Sequence, residues 1–248
     1  MVIPALGSTI TYSDFALDRH LGSTAKEVYL LIAFTRPTSI SELSRNSGMS
    51  RGTIRQACEI LLESGWLVQT ASGAKGAVYA ATIPRSVQKV LARQIEADRW
   101  AAAYAGEHLM RLWLDWLVDS REFLDNARPR FLVNPSTGRP LEVDRLYHVG
   151  VGFEFQGWQH FAKTELYPDD ERLAHRQTLD LVKAGQCARH GIQLVEVVET
   201  DLSLQGMVAK VPPPLTLRYY EANSPIMQAL SNLSENYASN SRRLRGGS

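Results

Sequence analysis

From Leu21 to Ile83 the apolar positions first recur every three to four residues and then alternate. Val28, Tyr29, Ile32 and Ala33 form one helical stripe, with Ser23 or Thr24 to cap it and Pro37 to end it. Ser39 and Ser41 open a short second helix with Ile40 and Leu43 inward, and Asn46-Ser47-Gly48 turns the chain. Ser50 caps a third helix, Arg51 to Ser64, whose stripe is Ile54, Ala57, Leu61 and Leu62 and whose stop is Gly65. Residues 66–70 and 77–81 then read as a hairpin around the glycine-bearing loop Ser72-Gly73-Ala74-Lys75-Gly76.

Residues 84–103 predict a connecting helix with Pro84 in its first turn. The stripe Leu109, Leu112, Trp113, Trp116 and Leu117 predicts a helix over 104–124, with both tryptophans as core. Short strands are then expected over 130–133, 141–147 and 150–156, with the turn Asn134-Pro135-Ser136-Thr137-Gly138 between the first two. A loop over 163–170 precedes a polar helix over 171–190, which Gly191 breaks, and a strand over 192–197. The tail has a break at Pro212-Pro213-Pro214 and an apolar helix around 227–233 that would cover the second domain. These elements predict an α/β chain of three parts: 1–83 with an N-terminal arm, a linker helix over 84–103, and a mixed sheet flanked by helices over 104–248.

The 248 residues suffice for one large or two smaller domains, and 44% hydrophobic with 21% charged residues fits a soluble globular protein. No apolar run approaches ~18 residues, so no membrane span is expected. The first residues lack a basic region followed by a long apolar core, so no secretory signal is expected and the cytoplasm is the expected location. Cys58 and Cys187 lie far apart and read as free thiols. A net charge of +1 means that any nucleic-acid surface must be local. No phosphate-binding loop, dinucleotide fingerprint or nucleophile elbow appears, so ATP, NAD and acyl chemistry lack support.

Residues 138–161 carry the candidate chemistry. Glu142 and Asp144 stand two apart, as do Glu154 and Gln156, and alternate strand residues share a face. If the two segments pair, Asp144 and Glu154 meet at one end of a sheet, where a divalent cation between them would offset their repulsion. Asp144, Glu154 and Gln156 in this spacing resemble the PD-(D/E)xK nuclease signature, with Gln in place of the usual Lys. NPSTGRPLEVD, FEFQGWQHF and DLVKAGQCARHGIQLVEV, in order over 134–198, resemble one branch of that superfamily. The resemblance implies a restriction-endonuclease-like fold and magnesium or manganese held by Asp144, Glu154 and the Phe155 carbonyl. It also implies Glu107 as an acid from the preceding helix, although a first-turn Glu equally suits the helix dipole. Glu107 or Glu142 would support a second ion. Gln156 could position water or phosphate. His160 reads either as a general acid or base or as a strand-end hydrogen-bonding group. Arg176, Asp180 and Lys183 share a helix face; the resemblance places Arg176 and Lys183 near DNA or the site, and a solvated face is the other reading.

SISELSRNSGMSRGTIRQACEILLESGWL resembles the winged-helix domains of bacterial transcription regulators. The likeness implies that the third helix enters the major groove, turning Ser50, Arg51, Thr53, Arg55 and Gln56 to bases and phosphates, with Lys75 at the wing tip. A protein-docking role stays open for such a domain. The resulting expectation is a magnesium-dependent endonuclease of double-stranded DNA, targeted by a winged helix, with a homodimer or partner subunit for double-strand cleavage. A catalytically inactive DNA-binding regulator, a subunit of a transposase or defence complex, and an RNA-directed nuclease are the alternatives.

Overall fold

A computed structural model describes residues 15, 18–34, 38–73, 76–98, 105–120, 122–157 and 170–246, with the backbone alone at 98, 170–176 and 244–246. The chain is a mixed α/β protein with two sheets. It divides into two compact units: the described residues of Met1–Ile95 with Tyr219–Gln228, and those of Glu96–Arg218 with Ala229–Ser248.

In the first unit, α1 (Ser23–Phe34), β1 (Thr38–Ser39), α2 (Ile40–Ser47), α3 (Arg51–Glu63), β2 (Leu67–Gly73) and β3 (Gly76–Ala81) follow in order. Ser39 and Ser50 cap α2 and α3 by accepting from the backbone N–H of Glu42 and Thr53. Gly48 closes α2 at φ +73°, a conformation that costs a side-chain-bearing residue steric strain. Val28, Ile32, Leu43, Ile54 and Leu61 form the core, joined by a cluster of Phe15, Tyr29 and Trp66 rings. β1, which pairs Thr38 with Tyr79 and Ser39 with Val78, is too short to show an alternating pattern in sequence. The sheet order is β1-β3-β2.

α4 (Arg85–Asp98) follows, and then α5 (Ala105–Leu117), β4 (Phe123–Ala127), β5 (Val143–Tyr147), β6 (Val151–Gln156), α6 (Asp170–Arg189), β7 (Gln193–Val198) and α7 (Leu204–Lys210) of the second unit, with α8 (Pro225–Gly246), whose residues from Ala229 on belong to it. The sheet order is β4-β5-β6-β7, antiparallel except for the parallel β6–β7 pair, whose connection contains α6. α5 packs closely on β6, because the space where a Cβ of Gly106 would stand is taken by the Phe155 ring. Trp113 and Trp116 are buried, and Trp113 Nε1 donates to Ser234 Oγ at 3.1 Å. Cys187 on α6 is buried with Leu132 and Val143. Among the described residues no helix is long and apolar enough to cross a membrane.

Several elements differ from the expectation. The helix expected to reach residue 124 ends at Leu117, because Val118 bridges to Leu217 and residues 123–127 enter the sheet as β4. Residues 130–133 form a turn with a single bridge, Val133 to Pro140, since Leu132 N–H bonds back to the Pro129 carbonyl. The helix expected over 227–233 extends from Pro225 to Gly246, its second half polar in sequence but burying Ser234 and Ser241.

Candidate active site

Asp144 and Glu154 face each other on β5 and β6. The register pairs Arg145 with Phe153 and Leu146 with Gly152, which sets Asp144 opposite Glu154. Asp144 N–H donates to Glu154 Oε1 at 3.2 Å, and Phe155 N–H donates to Asp144 Oδ2 at 2.7 Å. From α6, Lys183 Nζ lies 2.7 Å from Glu154 Oε2. Two carboxylates and one ammonium thus converge in a setting where Glu154 is 6% exposed.

The electrostatics follow from that crowding. Burial and then the charge of Asp144 push the Glu154 carboxyl up to about 7, against the pull of Lys183. Burial also raises Asp144, while the Phe155 N–H, Lys183 and Arg111 favour its ionised form. Glu107 on α5 is raised by burial and by Asp144. It pairs with Arg111, one helical turn on, and Arg111 Nη2 also donates to the Asp144 carbonyl at 2.9 Å and to Asn126 Oδ1 at 2.7 Å. Asn126 reaches that contact with φ +51°, a strained value for a residue with a Cβ.

A second network supports β5 from its other face. Arg145, 2% exposed, forks onto Asp125 at 2.7 and 3.0 Å and reaches Asp115 Oδ1 at 2.6 Å. Its guanidinium lies 4.0 Å from the centre of the Phe123 ring. Burial works against its charge, but the Asp125 bonds and the Asp115 charge hold its pKa above the ordinary value. Arg145 thereby ties β4, β5 and α5 together behind Asp144.

The other expected residues fall as follows. Gln156 is buried on the Glu154 side of β6, and its Oε1 has no hydrogen-bond partner among the described residues. Phe155 lies beside the pair, where its N–H donates to Asp144. Glu142 turns to Arg128, whose Nε lies 2.8 Å from Glu142 Oε2, while its charge still raises Asp144 and Glu107. His160 and Lys75 lie outside the described residues, as does the side chain of Arg176. Ser50, Arg51, Thr53, Arg55 and Gln56 are all exposed at the start of α3, where Ser50 Oγ also bonds Thr53 Oγ1 at 2.8 Å. Sequence reasoning missed Arg111, Arg145 and Glu196. The i, i+4 spacing to Glu107 is the signal that could have found Arg111. The parallel register sets Glu196 beside Glu154, with its side chain exposed.

No group of three His, Cys, Asp or Glu side chains among the described residues is arranged to hold a metal ion. The donor set at the sheet end nevertheless suits a hard divalent cation: two facing carboxylates and the unpartnered amide oxygen of Gln156.

No family model matches the chain, and no solved structure matches it. It is similar to an uncharacterized protein of Invertebrate iridescent virus 3, at 36% identity over 93 residues, 34% of this chain and 48% of that protein. It is also similar to an uncharacterized protein of Frog virus 3 (isolate Goorha), at 32% identity over 90 residues, 35% of this chain and 58% of that one. The chain spans about half the length of the curated relatives it matches.

Proposed function

We propose that the chain is a cytoplasmic, metal-dependent DNA endonuclease of the PD-(D/E)xK type, with a winged helix-turn-helix in its first unit that grips double-stranded DNA. The observation that carries this reading is the Asp144–Glu154 pair with Lys183 on Glu154 Oε2. A magnesium or manganese ion held by the two carboxylates would supply Lewis acidity and an activated water. Lys183 contributes the positive charge that Gln156 lacks, and its ammonium is the group that can orient water or offset charge on the phosphate. Gln156 Oε1, an acceptor without a partner among the described residues, can hold a water at the sheet end. Arg111 holds the Asp144 main chain and Glu107 in place. One such site cuts one strand, so double-strand cleavage requires a second copy or a partner subunit.

Incubation of supercoiled plasmid and linear duplex with magnesium, manganese or chelator tests the reading. Wild type should nick or linearise only with metal. Glu154→Ala and Lys183→Met should each lose at least ~100-fold in rate, the scale of one electrostatic or acid–base group. Duplex binding without cleavage under any metal would favour an inactive DNA-binding regulator, the reading that Gln156 supports. Preference for RNA in competition would point instead to an RNA-directed nuclease.

A further inference from the structure

The turn at residues 134–139 is built firmly, by its backbone, by Asn134 and by Thr137 Oγ1, which accepts from the Arg139 N–H at 3.4 Å. Asn134 Oδ1 accepts from the N–H groups of Ser136 and Thr137 at 2.9 and 3.2 Å. The Asn134 N–H bonds the Arg139 carbonyl, and the Gly138 N–H returns to the Asn134 carbonyl, each at 2.8 Å. On α6, Gln186 clamps Val133 from both sides, its Nε2 donating to the Val133 carbonyl at 2.9 Å and its Oε1 accepting from Val133 N–H at 3.0 Å. Phe131 stacks on His190 at 3.9 Å, which fixes the other end of the segment to the end of α6. Residues 135–140 are nonetheless all exposed.

Two arginines flank the turn in sequence. Arg130 and Arg139 are exposed and have no acidic partner among the described residues. Arg189, beside the stacked His190, is also exposed, and its Nε donates to the Gly185 carbonyl of its own helix. Glu142, the nearest acid along the chain, is taken by Arg128. The turn sequence itself is small and hydroxyl-rich, so a phosphate chain can approach it closely. It has no aromatic side chain, and so no platform for an unpaired base. Arg139 stands five residues before Asp144, so at most roughly 17 Å of extended chain separates them. That reach corresponds to about five base pairs of duplex.

From rigidity, charge and this tether, we infer that the 134–139 turn, with Arg130 and Arg139, is a phosphate-backbone clamp that seats duplex DNA alongside Asp144. It reads charge and shape rather than base identity. The inference rests on the nuclease reading and deepens it by assigning a substrate-contact surface in the second unit.

The test measures binding of the full chain to a duplex of about 30 base pairs in chelator, as a function of salt. Each phosphate contact contributes about 0.9 to the slope of log affinity against log salt. Arg130→Glu with Arg139→Glu should lower the slope by close to two and weaken binding at least tenfold at ~0.1 M salt. Arg130→Lys with Arg139→Lys should keep the slope. Because both arginines are exposed, the melting temperature should not change. An unchanged slope in the reversal variant, failure of wild type to bind duplex, or tighter binding of single-stranded RNA overturns the clamp. Chelator separates the two claims. Wild type that binds with the full slope but cuts under no metal removes the nuclease and leaves the clamp. Wild type that cuts while the reversal variant keeps its slope removes the clamp alone.

Discussion

Glu154 carries an electrostatic conflict that pH can expose. Burial and Asp144 raise its carboxyl to about 7, so between the ordinary carboxylate range and that value the folded chain holds a proton that the unfolded chain has lost. This contribution to stability is fully present at pH 4 and disappears as the pH rises through 7. In chelator, wild type should therefore lose stability from pH 5 to 8 more steeply than Glu154→Gln, which has no carboxylate to ionise; parallel melting-temperature curves would refute this. The meeting of Asp144 and Glu154 was legible, because strand alternation and a ten-residue spacing suffice for it. The buried fork of Arg145 onto Asp125 and Asp115 was not, since alternation sets Arg145 on the face of Val143 and Tyr147 but names no acid to meet it there. Those acids come from β4 and α5.

At the scale of elements, the α5–β6 contact is the tightest constraint on the site. A Cβ on Gly106 would lie 2.1 Å from Phe155 Cε1 and 2.7 Å from the Tyr237 hydroxyl. Gly106→Ala gains ~1 kcal/mol of helix propensity, but overpacking of this degree costs about 1–3 kcal/mol or more. The net expectation is destabilisation, read as a lower denaturant midpoint, with partial recovery when Phe155→Leu removes the ring. Stability gained by Gly106→Ala alone would show that the helix can move freely. The helices and hairpin of the first unit were legible from capping serines and stripes. β4 was not: Phe123-Leu124-Asp125-Asn126-Ala127 lacks an alternating pattern and includes Asn126 at positive φ. Its place in the sheet is set by pairing with β5, which residues twenty positions away decide.

At the scale of the molecule, each unit has its own sheet and buried core, and the proposed function assigns DNA contact to both. The first unit presents Arg51 and Arg55 on the exposed start of α3. Arg51→Ala with Arg55→Ala should weaken duplex binding about tenfold, while stability stays within about 0.5 kcal/mol because the side chains are exposed. Anisotropy titration and thermal melting check both halves, and undiminished DNA affinity would assign the first unit to protein docking. Helical and strand periodicity made the mixed α/β character legible. The inclusion of Tyr219–Gln228 in the first unit was not, because no periodicity in a short segment says which core it joins.

Glu154 and Lys183 lie 29 residues apart in sequence, while Asp144 and Glu154 lie ten apart. At ~5–20 residues per second of synthesis, Lys183 follows Glu154 from the ribosome by roughly one to six seconds. Throughout that interval Glu154 lacks its ammonium partner, while Arg111, already made, favours the ionised form of Asp144 alone. A growing chain would thus complete the charge balance at Glu154 only once α6 arrives, and a fragment that ends before Lys183 would carry Glu154 without that partner.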